Sequence, residues 1–128
     1  MRIISGNFKG KKLFLPKDKH TRPLKDNVKE SIFNLIQHSK KININIENSL
    51  VLDLFSGTGS FGIECISRGS KKVIFFENYD EAIKVLKKNL NSLKNIKNYE
   101  IYKQNFFSSG KYFNFNFDLI FIDPPYKE

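Results

Sequence analysis

The run "SLVLDLF", followed without a break by "SGTGSFGIE", constrains the fold more than any other stretch of this chain. A short, continuous apolar run suits a strand of a sheet covered on both faces. Gly57, Gly59 and Gly62 then meet a Gly-x-Gly-x-x-Gly spacing, and a helix is expected over residues 60–68, closed by Gly69 at C′. Glycines at a strand-to-helix turn let the backbone fold tightly and approach a ligand closely. "KKVIFFE" reads as a second buried strand. Glu77 closes it, about 20 residues past the first glycine, where an acid can accept hydrogen bonds from ribose hydroxyls.

The alternation continues. Asp80 is expected to cap a helix whose Ile83, Leu86, Leu90 and Leu93 form one stripe. "NYEIYKQ" reads as a weaker third strand, "FFSSGKYFNFNF" as a short helix or loop, and "FDLIFID" as a fourth strand. Strand–helix–strand alternation predicts an α/β fold with a parallel, doubly wound sheet. Ahead of it, "MRIISGNFKGKKLFLP" predicts a hairpin over residues 2–6 and 11–15, turning at Asn7–Gly10. A helix then follows, capped by Asp26, with Val28, Ile32, Leu35 and Ile36 on its buried face. "KKININIENS" is a polar linker, so residues 1–41 read as an arm and 42–128 as the core.

Charge separates these two parts. The chain has 128 residues, enough for one domain with a real core. Its net charge is +9, and residues 1–41 hold 11 basic and 3 acidic side chains, hence +8 of it. Such a block attracts phosphates, and nucleic acid is its commonest partner. Arg2, Lys9, Lys11, Lys12 and Arg22 are the candidate contacts. No apolar run approaches the roughly 20 residues of a membrane span. The single cysteine, Cys65, fits a reducing, cytoplasmic setting. Two scattered histidines, His20 and His38, suggest no metal site.

The glycine turn with its acid fits a nicotinamide dinucleotide or S-adenosylmethionine. Asp53, at the end of the first strand, would repel a diphosphate and suits a ligand carrying an ammonium and a sulfonium. In such a fold the ligand lies at the carboxyl ends of the strands, where strand order reverses. That reversal should fall between strands one and four, placing Asp53 beside Asp123. Asp123-Pro124-Pro125-Tyr126 combines a carboxylate with two prolines that lack N–H donors. Carbonyls and a carboxylate without donors suit an exocyclic amino group, and Tyr126 can stack on the base that carries it.

Taken together, "VLDLFSGTGSFGIE" and "DPPY" resemble class I S-adenosylmethionine methyltransferases acting on exocyclic amines. "MRIISGNFKGKKL", "TRP" and "VKESIFNLI" narrow the resemblance to the RsmD family of 16S rRNA guanine-N2 methyltransferases. That resemblance implies a Rossmann-like sheet of order 3-2-1-4 with an N-terminal hairpin-and-helix arm, acting as a cytoplasmic monomer on rRNA. It implies that Asp53, Phe55, Gly57 and Gly59 bind the methionine part of the cofactor, that Glu77 takes the ribose, and that Asn105 faces the adenine. Asp123, Pro124, Pro125 and Tyr126 would hold the guanine, with Arg22 and Pro23 near the active site. The family usually carries an acid at the place of Asn105, Thr at Leu24 and Arg at Asn27. Its members also continue well past the tetrapeptide, so the core is expected to be truncated. The rival readings are a DNA adenine or cytosine amino-methyltransferase, a nicotinamide-dependent oxidoreductase, and a truncated, non-catalytic RNA-binding remnant.

Overall fold

The computed structural model describes residues 1–17, 23–104 and 116–124. Seven elements run in the order α1 (Asp26–His38), β1 (Leu50–Asp53), α2 (Ser60–Ser67), β2 (Lys72–Phe76), α3 (Asp80–Asn91), β3 (Tyr99–Tyr102) and β4 (Leu119–Phe121). The four strands form one parallel sheet of order β3-β2-β1-β4, the expected arrangement. The start of β4 is pinned to β1 by a reciprocal pair: Leu50 N–H donates to the Asp118 carboxylate at 2.7 Å, and Asp118 N–H to the Leu50 carbonyl at 2.9 Å. The segment read as a short helix or loop after β3 lies, from residue 105 to 115, outside the described residues.

Strand residues alternate between two cores. Val51, Val73 and Phe75 join Phe61, Ile63, Leu86 and Leu90 in the larger cluster, whereas Leu52, Leu54, Ile74 and Phe76 form a second one. Ile83, Leu86, Leu90 and Leu93 are all buried, as the stripe predicted. Gly62 lets α2 lie close on the sheet, since a Cβ there would stand 2.3 Å from the Phe75 ring. Three aromatic rings tie the layers together. Phe33 of α1 stacks on Phe61 of α2 at 4.9 Å, and Phe61 on Phe121 of β4 at 3.8 Å.

Four local expectations are corrected. The buried face of α1 is Lys29, Phe33 and Ile36, while Val28 and Leu35 are exposed. The helix is turned because Phe33 stacks on Phe61 and because the Lys29 ammonium finds buried partners: the Arg2 carbonyl at 2.7 Å, Ser60 Oγ at 3.0 Å and Glu64 at 3.5 Å. Asp26 is not the cap but the first helical residue, with Lys25 at the N-cap. Its carboxylate instead accepts the Arg2 N–H at 3.2 Å. Asp80 is likewise first in α3, after Tyr79. There the Glu77 carboxylate takes the N–H groups of Asn78 and Tyr79.

The N-terminal hairpin is present as a reversal without named strands. Arg2 and Lys12 form one antiparallel bridge, flanked by Ile3 N–H to the Lys11 carbonyl and Leu13 N–H to the Met1 carbonyl. A longer ladder does not form because the donors turn elsewhere. Ile4 and Ser5 N–H bond the Glu64 carboxylate at 2.9 and 3.0 Å, and Asn7 N–H caps the Ser67 carbonyl of α2 at 2.8 Å. Ile3 and Leu13 are buried in the main core.

Candidate active site

The site grows from the carboxyl ends of β1, β2 and β4. Parallel pairing sets Asp53 opposite Phe75 on one side and Phe121 on the other. The chain leaves each strand held in place: Leu54 N–H bonds the Phe121 carbonyl, Ser56 N–H the Phe76 carbonyl, and Glu77 N–H the Tyr102 carbonyl, at 3.0 to 3.1 Å. Gly57 and Gly59 both have positive φ, 54° and 88°, and Gly59 is the N-cap of α2. A side chain at Gly59 would also strike Leu86, 2.2 Å away. The positive φ at both positions and the approach of Leu86 to Gly59 are why glycine stands there.

Asp53 is 1% exposed, and neither carboxylate oxygen has a hydrogen-bond partner among the described residues. Burial pushes its pKa up to about 8; the Gly62 N–H pulls the other way without reaching hydrogen-bond geometry, and the charges of Glu77 and Asp123 push it further up. A buried carboxyl left without donors costs free energy unless something cationic meets it. The acceptor chemistry therefore fits a ligand bearing an ammonium and a sulfonium, and does not fit a diphosphate.

Glu77 braces the turn as well as facing it. One carboxylate oxygen accepts the Gly57 N–H at 2.9 Å, and the other the N–H groups of Tyr79 and Asn78 at 2.9 and 3.1 Å. Phe55 is half-buried against the second cluster. Asp123 and Pro124 are exposed just beyond β4. The structure thus brings together Asp53, Phe55, Gly57, Gly59, Glu77 and Asp123. Arg22, Asn105, Pro125 and Tyr126 lie outside the described residues. Arg2, Lys9, Lys11 and Lys12 are all exposed on the hairpin.

Three buried polar residues escaped the sequence reading. Lys29 and Glu64 look like ordinary helix-surface charges. Asn89 looks like a solvated position of α3, yet it is fully buried. Its amide oxygen accepts the Phe14 N–H at 2.6 Å, and its amide nitrogen donates to the carbonyls of Thr58, at 2.9 Å, and Phe14, at 3.3 Å. No periodicity signals a polar side chain that replaces a missing backbone partner.

A β3-β2-β1-β4 sheet, a glycine turn after the central strand and acids at adjacent strand ends define the Rossmann-like fold of class I methyltransferases. Residues 1–128 match the family described as conserved hypothetical protein 95, and the chain belongs to that family, the RsmD family its sequence resembles. Ribosomal RNA small subunit methyltransferase D of Haemophilus influenzae is 37% identical over 129 residues, covering 98% of this chain and 64% of that protein. The protein of the same name from Escherichia coli is 31% identical over 127 residues, covering 99% and 61%. Among solved structures, yhhF of Escherichia coli, put forward as a methyltransferase, aligns with a TM-score of 0.80 at 29% identity, over 99% of this chain and 64% of that one. The chain therefore spans less than two thirds of these proteins. Among the described residues no helix is long and apolar enough to cross a membrane, and no group of three His, Cys, Asp or Glu could hold a metal ion.

Proposed function

We propose that this chain forms the cofactor-binding core and RNA-engaging arm of an rRNA methyltransferase. The reaction is transfer of a methyl group to the exocyclic N2 of a guanine in small-subunit rRNA. The observation that carries this reading is Asp53: a buried carboxylate without a partner among the described residues, at the head of a glycine turn and flanked by Glu77 and Asp123. The family membership supports the substrate class.

S-adenosylmethionine, when bound, would supply an electrophilic methyl group on a sulfonium. Asp53, Phe55, Gly57 and Gly59 bind the methionine end, Glu77 the ribose and Asn105 the adenine. Asp123 and the carbonyls of Pro124 and Pro125 accept hydrogen bonds from the guanine amine and turn its lone pair toward the methyl group. Tyr126 stacks on the base, which must leave its helix to reach the site. The chain supplies mainly alignment, an effect that can be worth about 7–11 kcal/mol. Residues 1–41 provide phosphate contacts and residues 42–128 the cofactor site.

Calorimetry with S-adenosylmethionine, followed by radiolabelled methyl transfer to 16S rRNA and nucleoside analysis, tests the reading. N2-methylguanosine in rRNA, with no label entering duplex DNA, supports it; label entering adenine or cytosine of DNA would replace it. Glu77→Ala should weaken cofactor binding by about tenfold or more. Neutralising Lys9, Lys11 and Lys12 should reduce the salt slope of RNA binding by about one unit per lost phosphate contact.

A further inference from the structure

The hairpin loop runs beside α2. Its turn sits at the far end, where Asn7 N–H bonds the Ser67 carbonyl. Its open end lies by the glycine turn, where Lys29 bonds both the Arg2 carbonyl and Ser60. Phe14 leaves the hairpin at that end of the sheet, the end at which Asp53 and Glu77 gather. It is 42% exposed, and Leu15 beside it 53%. Isolated apolar residues on a surface need no explanation, but Phe14 is set apart in two ways. Its N–H and carbonyl are both clamped by buried Asn89, which also holds the Thr58 carbonyl of the glycine turn. Its ring carries the Lys88 ammonium 4.0 Å from the centroid.

A part-exposed aromatic ring on a clamped backbone, with a cation over one face, in a segment with a strong basic excess, matches what unpaired nucleic acid uses: a ring for a base to stack on and a charge for the adjoining phosphate. We propose that Phe14, with Lys88, is a stacking platform for an unpaired RNA base neighbouring the target nucleotide. Asn89 acts as a positioning residue, fixing that platform relative to the cofactor turn. The inference rests on the RNA reading above.

The chain has no tryptophan, so Phe14→Trp installs a single fluorescent reporter at the platform. Titration with a short single-stranded oligoribonucleotide should quench this tryptophan, because a base stacks on the indole. In parallel, Phe14→Leu should weaken binding of the same fluorescein-labelled RNA, read by anisotropy, by about tenfold. Phe14→Tyr should bind like the parent, and S-adenosylmethionine affinity should be unchanged in all three variants. RNA binding by Phe14→Trp without quenching would overturn the platform while leaving the RNA reading intact. A Phe14→Leu variant that binds RNA like the parent would do the same. Failure of the parent protein itself to bind RNA would overturn both. If Phe14→Leu melts at a lower temperature, the quenching result still decides.

Discussion

Lys29 and Glu64 face each other 3.5 Å apart with both side chains fully buried, and together they fasten the N-terminal segment to α2. Desolvation lowers the pKa of the Lys29 ammonium, with Glu64 and Asp26 opposing that fall. Glu64 is fully engaged: Ile4 and Ser5 N–H and the Arg68 guanidinium, at 2.8 Å, complete its shell. Without Lys29, buried Glu64 is left to Arg68 and two backbone N–H groups, and the Arg2 carbonyl loses its Lys29 donor. Lys29→Met should therefore lower unfolding free energy by about 3 kcal/mol in urea titrations. Adding Glu64→Gln should not restore the loss, since the Arg68 guanidinium then loses its carboxylate and the amide NH2 faces a backbone N–H donor. A Lys29→Met midpoint equal to the parent's would show that the pair does not hold the arm.

Asp53 makes both stability and ligand binding depend on pH. An aspartate in the unfolded chain ionises near 3.9, whereas the folded one does so at about 8. Between these values the folded state keeps a proton that the unfolded state has lost, so this residue's contribution to stability falls as pH rises from about 4 to about 8. A cationic ligand prefers the carboxylate, so its affinity should climb with pH up to about 8. Calorimetry on the parent and on Asp53→Asn checks both signs. The variant should bind more weakly and lose this residue's share of each pH dependence; identical profiles in the two proteins would assign the titration elsewhere.

Asp123 is exposed, beyond the edge strand β4, whereas Asp53 and Glu77 surround the glycine turn. Asp123→Ala should leave S-adenosylmethionine affinity within about twofold and lower methyl transfer by about 100-fold, near 2.7 kcal/mol of transition-state stabilisation. Measuring binding and single-turnover transfer on the same preparation separates the two effects. Equal losses in both would place Asp123 in the cofactor site.

The β4 edge predicts self-association. Ile120 is 49% and Ile122 59% exposed; their spacing along the chain puts both on the side of the sheet away from Phe121 and the main core. A short apolar edge strand invites pairing with another chain. Light scattering of the 128-residue chain should rise with concentration, and Ile120→Lys with Ile122→Lys should suppress that rise while leaving the main core intact. Scattering that is equal in parent and variant would locate any association on another surface.

The strand order, the glycine turn and the acids at the strand ends were legible in the sequence because each is written in local chemistry. Continuous apolar runs mark doubly covered strands, glycines mark backbone that must turn or approach closely, and βαβ handedness leaves few topologies. The rotation of α1 was not legible. Val28 and Leu35 form a credible apolar stripe, but a lysine is the residue that goes inside, because Glu64, Ser60 and the Arg2 carbonyl meet it there. Nor was the shortened hairpin ladder, whose donors are claimed by Glu64 and Ser67 some 60 residues away in sequence. The burial of Asn89 belongs with these. A polar side chain becomes structural only when the fold brings it an unpaired backbone group, and that meeting of distant segments is decided by tertiary packing alone.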